Sequence, residues 1–194
     1  MNLNAYRHKR NFDHTPEPSG KKKIKIKSSC YVIQEHAASH LHYDLRLELK
    51  RVLKSWAVPK GPCLDSSVKR LAIEVEDHPL AYATFEGIIP KGQYGAGNVI
   101  LWDTGTWQCV GPPLKSYLAG HMTFDLFGKK LKGRWKLIRI KSSTRNKQWL
   151  LFKMQDSFAK PLSKYDVLTK KSHGVGAYHT LLQASKSATS KVKK

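Results

Sequence analysis

The stretch QEHAASHLHYDLRLELK, residues 34–50, decides how this chain reads. Three histidines, an aspartate, an arginine and two glutamates share seventeen positions, yet from His40 onward polar and apolar residues alternate almost without a break. Period-two alternation marks a strand whose successive side chains point to opposite faces. Leu41, Tyr43, Leu45, Leu47 and Leu49 form the apolar face, and His40, His42, Asp44, Arg46 and Glu48 the polar one. Working outward, strand-like patterns recur in YVIQ (31–34), VLKSWAV (52–58), RLAIEVE (70–76), NVILWD (98–103), TWQCV (106–110), MTFDLF (122–127), RWKLIRI (134–140) and QWLLFKM (148–154). With residues 40–49 these are nine segments, separated by PKGP, DHP, KGQYGAG, DTG and GKKLKG. The pattern predicts a mainly all-β chain folded as a compact β-barrel with minor helices, not alternating strand and helix. DTG and GKKLKG read as hairpin connections. PLSKYDVLTK (161–170) is the place for a short helix, and the five tryptophans read as core because they sit beside aliphatic residues in the strand patterns.

The 194 residues, 40% hydrophobic, suffice for one domain with a core. Residues 1–29 read as a partly ordered N-terminal arm, 30–182 as the barrel, and 183–194, QASKSATSKVKK, as a disordered basic tail. Within the arm, KKKIKIKSS (21–29) places five lysines in its first seven positions, read as a solvated electrostatic surface. Thirty-five Lys and Arg against fourteen Asp and Glu leave a net charge of +21, which points to a polyanionic partner, nucleic acid first. Against a membrane, there is no apolar run near the roughly eighteen residues of a spanning helix. The polar start MNLNAYRHKRNFDH lacks the apolar core of a secretory signal. Cys30, Cys63 and Cys109 are odd in number and far apart, so neither a disulfide framework nor a zinc knuckle is suggested, and a cytoplasmic protein is expected.

On the polar face of the opening strand, His42 and Asp44 lie roughly 6.6 Å apart along the chain, close enough to lean onto one cation. Either His40 or His36 could join them, the latter if the chain bends through AAS. Two imidazoles and a carboxylate leave coordination positions open, as at catalytic metals. Arg46, next in the row, could offer its planar fork to a phosphate. The plain alternative is a wet outer face that does nothing beyond staying hydrated. A further histidine, His78 in EDHPLAY, precedes Pro79, which stops RLAIEVE and leaves His78 at a strand end where a loop can expose it. IPKGQYGAGN has neither phosphate-cradle spacing, so it reads as a tight connection between strands. Neither a G-x-S-x-G elbow nor a K-x-D-G adenylation motif is present. Two other readings stand: a non-catalytic nucleic-acid-binding barrel with aromatic platforms, and a non-haem iron oxygenase on His42, Asp44 and His78.

QEHAASHLHYDLRLELKRVLKSWAVPKGP, KRLAIEVEDHPLAYATFEGIIPKGQYGAG and WDTGTW resemble the phosphoesterase module of bacterial ATP-dependent DNA ligase D, which also occurs free-standing. The resemblance runs from about residue 6 to about residue 168. It implies a β-barrel enzyme that prefers Mn2+, with Zn2+ or Co2+ as alternatives, and that heals DNA 3′ ends. Such enzymes remove a 3′-terminal ribonucleoside to leave a 3′-phosphate, then hydrolyse that phosphate to a 3′-hydroxyl. Carried over, the metal ligands fall on His36, His42 and Asp44, and the catalytic phosphate-handling groups on Arg46, His78 and Tyr82. Gln34, Lys60 and Arg70 match supporting positions, and KRNFDHTPEP puts Arg10 and Glu17 on others. Where the family usually has Asp, this chain has Asn11, which cannot supply negative charge. The implied partners are duplex or primer–template 3′ ends, ribonucleotide-terminated ends among them, with a separate DNA ligase and a Ku-type end-binding protein as candidates. A monomer is expected.

Overall fold

The computed structural model describes residues 2–21, 29–141, 147–170 and 173–176. Most of the KKKIKIKSS run and the whole tail 183–194 lie outside the described residues. Nine strands form the frame: β1 (Cys30–Ala37), β2 (Leu41–Leu49), β3 (Val52–Val58), β4 (Arg70–Glu74), β5 (Gly87–Ile89), β6 (Gly97–Cys109), β7 (His121–Gly128), β8 (Lys132–Arg139) and β9 (Gln148–Lys153). Eight of them close an antiparallel barrel in the order β1-β2-β3-β4-β9-β8-β7-β6, with β6 returning to β1, and β5 pairs with β6 alongside. The barrel expected from the alternation is the fold found. Short helices are α1 (Asn4–His8), α2 (Pro113–Leu118) and α3 (Val167–Lys170), with a 3₁₀ turn at Leu80–Thr84.

Strand alternation builds two apolar layers. Tyr31, Ile33, Tyr43, Leu45, Leu47, Trp56 and Val58 face the barrel interior with Trp102, Trp107, Trp135 and Trp149. All five tryptophans are buried. The opposite faces of the same strands carry Val32, Leu53, Val99 and Leu101, which pack against Tyr6 of the arm and Tyr82, Ala83 and Phe85 of the 3₁₀ segment. The outer wall of the barrel is therefore roofed, and the polar row of β2 lies under that roof. Asp44 and Arg46 are buried, and Leu41, at the barrel mouth, is the exposed member of the apolar row. The wet-face alternative does not hold for Asp44 and Arg46.

Two connections differ from expectation. GKKLKG does join β7 to β8. DTG turns nothing: Asp103, Thr104 and Gly105 lie inside the thirteen-residue β6. Gly105 is there because a Cβ would sit 2.2 Å from the Phe127 carbonyl of β7, so glycine allows close strand approach. The two-residue turn between β2 and β3 is instead Lys50–Arg51, both at positive φ (54° and 67°), with Leu49 paired to Val52. Glu48 supports it by accepting the Arg51 N–H at 3.0 Å.

Candidate active site on the outer wall

The β1–β2 hairpin sets the site. Its register pairs His36 with His42 and Gln34 with Asp44, and directly opposed residues share a face. His40 lies in the turn, where its carbonyl accepts the Nδ1–H of His42 at 2.9 Å. His36, His42 and Asp44 each offer a ligand atom within 4.8 Å of the others. Asp44 Oδ2 is 3.7 Å from His36 Nδ1, and Asp44 Oδ1 is 3.7 Å from His42 Nε2, too far for hydrogen bonds among themselves. His36 Nε2–H donates to the Gly95 carbonyl at 2.8 Å. Carbonyls thus hold one nitrogen of each ring as a donor, leaving the lone pair of the other turned toward Asp44, the outer-shell arrangement of metal-ligating histidines. The donor set fits a divalent transition cation. The oxygenase grouping of His42, Asp44 and His78 is not the cluster that forms among the described residues.

Arg46 lies beside this cluster, 2% exposed. Its Nε donates to Gln34 Oε1 at 2.7 Å and its Nη2 to Asp44 Oδ2 at 2.9 Å. Gln34 in turn donates to the Tyr82 and Phe85 carbonyls at 3.0 and 2.8 Å, which fixes its amide and so the guanidinium. The third guanidinium nitrogen, Nη1, is buried without a partner among the described residues. Burial alone would push the Asp44 carboxyl up, but the Arg46 guanidinium beside it holds the group below its ordinary value.

β4 ends at Glu74, before the expected strand end, and His78 is held instead by a reciprocal backbone pair with Leu53 of β3, at 3.0 and 2.8 Å. The loop does not expose it: His78 is 3% exposed and lines the pocket. Its Nδ1–H donates to the Glu76 carbonyl at 2.9 Å, leaving Nε2 as an acceptor 3.4 Å from Arg10 Nη2. Burial first, then the charges of Arg46 and Arg10, hold the imidazole well below its ordinary pKa, so it is neutral. Tyr82 stands between, its ring 4.8 Å from that of His78 and 4.7 Å under the Arg46 guanidinium. Its hydroxyl donates to Glu17 Oε1 at 2.9 Å, and burial pushes the phenol well above its ordinary pKa.

The arm completes the roof. Glu17 also accepts from Arg10 Nε at 2.9 Å and from the Thr15 hydroxyl at 3.0 Å, and Arg10 Nη1 reaches Glu76 at 3.0 Å. The resulting pocket, about 270 Å³, is lined by Arg10, His36, His42, Asp44, Arg46, His78 and Tyr82 among others. Gln34 and Glu17 stand behind it, each bonded to a residue that lines it. Lys60 is exposed just past the end of β3, and Arg70 opens β4; neither lines the pocket. Asn11 is exposed and accepts the Asp13 N–H at 3.1 Å, a turn contact that asparagine and aspartate make equally well. Sequence reasoning missed Tyr94, Gly95 and Glu76. The first two sit in KGQYGAG, which is the expected link between strands and also supplies the carbonyl that orients His36.

The family profile of the DNA ligase D 3′-phosphoesterase domain matches residues 34–139. The "Multifunctional non-homologous end joining protein LigD" of Pseudomonas aeruginosa is 53% identical over 182 residues, covering 93% of this chain and 22% of that protein. LigD proteins of Mycobacterium tuberculosis and Mycolicibacterium smegmatis are each 42% identical, over 167 and 163 residues, covering 86% and 79% of this chain and 21% of theirs. The chain thus spans about a fifth of the length of these relatives, a share of 21–22%. No described helix is long and apolar enough to cross a membrane.

Proposed function

The chain belongs to the DNA ligase D 3′-phosphoesterase domain family, and from that premise we propose that it is a metal-dependent hydrolase that heals DNA 3′ ends. The observation that carries this reading is Arg46 Nη1, a buried donor without a partner among the described residues, beside a set of metal-ligating atoms. Such a donor costs free energy unless a ligand oxygen satisfies it, and a phosphoryl oxygen does so with charge assistance. A divalent cation on His36, His42 and Asp44 supplies Lewis-acid neutralisation of a phosphoryl oxygen when bound. We assign manganese, with zinc and cobalt as alternatives that the same donors accept.

The remaining steps belong to the chain's own side chains. Arg46 balances charge on the equatorial oxygens as water adds to phosphorus and the bond to the leaving oxygen breaks, the 5′ oxygen of the terminal ribonucleoside in the first step and the 3′ oxygen of the primer in the second. The phosphate keeps the water oxygen, and the leaving oxygen departs with a proton. His78 enters neutral, so it takes a proton at Nε2 before it can give one to the departing oxygen. Tyr82, its hydroxyl committed to Glu17, positions His78 and Arg46, and Arg10 brings a second guanidinium to the pocket wall. On this reading the site first releases a 3′-terminal ribonucleoside, leaving a 3′-phosphate, and then removes that phosphate. The 3′-hydroxyl product is what a DNA ligase consumes. We therefore place the protein in end joining as a monomer, beside a ligase and a Ku-type end-binding protein. The binding-barrel alternative finds no platform among the five tryptophans, which are all buried.

Manganese and labelled primer–templates ending in a 3′-ribonucleotide or a 3′-phosphate test the reading. Loss of the ribonucleoside and then of the phosphate is expected; two unchanged primers would defeat it.

A further inference from the structure

A second cleft, of about 650 Å³, opens beside the pocket and shares Val75, Glu76 and Tyr94 with it. The pocket itself, at about 270 Å³, lies just below the roughly 300–1,000 Å³ of small-ligand sites, so it holds the end of a strand and not the strand. The rest of a polynucleotide has to continue along the surface, and the wall shared with the second cleft is one way out.

The chemistry of that cleft suits a polyanion. Its two carboxylates are compensated from within. Glu76 receives Lys9 at 2.9 Å and Arg10 at 3.0 Å, and Glu74 accepts from Tyr117 and from Trp149 Nε1, with Lys54 at 3.5 Å. The cationic walls are less committed. Arg139 lies over the Trp149 ring at 4.5 Å and donates only to backbone carbonyls, those of Tyr117 at 3.1 Å and Leu118 at 3.3 Å. Among the described residues its charge meets no carboxylate and its buried Nε has no partner. Lys147 stands exposed on the same cleft. At the shared wall Tyr94 presents 48% of its surface, steadied by Lys9, whose Nζ is 3.1 Å from its hydroxyl. An exposed ring between two cationic walls is the pattern of a single-strand track, with bases stacked on aromatics and phosphates following the charge.

We propose that this cleft carries the strand whose 3′ end enters the pocket. Arg139 and Lys147 meet the phosphodiesters that precede the terminal nucleotide, and Tyr94 stacks on one of their bases. The identity of the end in the pocket rests on the phosphoesterase reading; the track does not.

Fluorescence anisotropy with a labelled duplex carrying a single-stranded 3′ tail that ends in a 3′-phosphate, in EDTA, tests the track without turnover. Lys147→Glu is expected to weaken binding about ten-fold and to flatten the slope of log K against log salt by about 0.7. Tyr94→Ala should weaken it at least about five-fold. Lys132→Glu makes the same charge change at the far end of β8, seven residues from Arg139 or about 23 Å along the strand, and should alter binding less than about two-fold. A second readout uses a nucleoside 3′-monophosphate, which has no preceding strand. Its kcat/KM should stay unchanged in Lys147→Glu while KM for the tailed duplex rises. Equal weakening by Lys132→Glu and Lys147→Glu, or none by Lys147→Glu and Tyr94→Ala, overturns the proposal. If the parent protein hydrolyses neither substrate, the phosphoesterase reading fails and the anisotropy comparison still decides the track.

Discussion

Replacing Arg46 by alanine separates two things that this side chain does. With 2% of its surface exposed, Arg46 is the cationic partner of Asp44, itself 6% exposed, and it fills the acceptor of Gln34. Without a bound metal, the variant leaves a buried carboxylate beside two imidazoles and a buried amide oxygen unsatisfied. Removing one partner of a buried pair costs about 3–5 kcal/mol. That is a large part of the roughly 5–15 kcal/mol that holds a domain together. At about 2–4 °C per kcal/mol for a chain of this size, Tm measured in EDTA should fall by about 6–20 °C. Manganese should then return more stability to the variant than to the parent protein, because Asp44 no longer shares Oδ2 with a guanidinium. At about a hundred times Kd a ligand adds about 2.7 kcal/mol, and the tighter the site, the less metal this needs. Activity should not return with stability: loss of a preorganised donor at the developing charge lowers kcat about 10²–10³-fold even at saturating metal. Thermal melts across a manganese titration, paired with kcat at the same metal concentrations, read both effects. A variant as stable as the parent in EDTA would refute the charge balance described for Asp44, and an unchanged kcat would refute the role given to Arg46.

Other consequences follow from particular residues. An unfolded imidazole takes a proton near pH 6.5, whereas buried His78 resists protonation, so below that pH the unfolded state binds more protons and stability falls. His78→Gln should remove that component from the acid limb of denaturant-unfolding curves, and an identical limb would contradict the assignment. At the β2–β3 turn, Lys50→Asn with Arg51→Gly replaces two residues held at positive φ by the pair that favours it, and should raise stability by about 1–2 kcal/mol in the same assay. Glu17→Gln weakens the arm's hold on Arg10 and Tyr82, and should make the N-terminal segment more susceptible to limited proteolysis while the barrel melts within about 1 kcal/mol of the parent.

The alternation in residues 40–49 was enough to read a strand, its apolar face and, with eight similar segments, a barrel. What one strand cannot reveal is its register against the next. Period two groups His40 with His42, whereas the hairpin bends between Ala37 and Leu41, puts His36 opposite His42, and leaves His40 a carbonyl in the turn. In the sequence only the family resemblance selected His36. The same limit explains DTG: glycine in a strand pattern looks like a turn, and the Phe127 carbonyl that requires it comes from a partner strand. Nor does alternation say what covers a face. The polar row of β2 reads as wet until the arm and the 3₁₀ segment, whose Tyr6 and Tyr82 pack over it, are in place. β5 is three residues long, too short for any periodicity, and Lys50–Arg51 carries none of the usual turn residues.

The most direct test of the site is the rate of phosphate release from a primer–template 3′-phosphate as manganese is titrated, compared between the parent protein and His42→Ala. The account predicts saturable, manganese-dependent release by the parent. It predicts none above background from a folded His42→Ala that also shows no manganese-induced rise in Tm. Manganese-dependent release by His42→Ala at a rate near the parent's would contradict the site assembled from His36, His42 and Asp44.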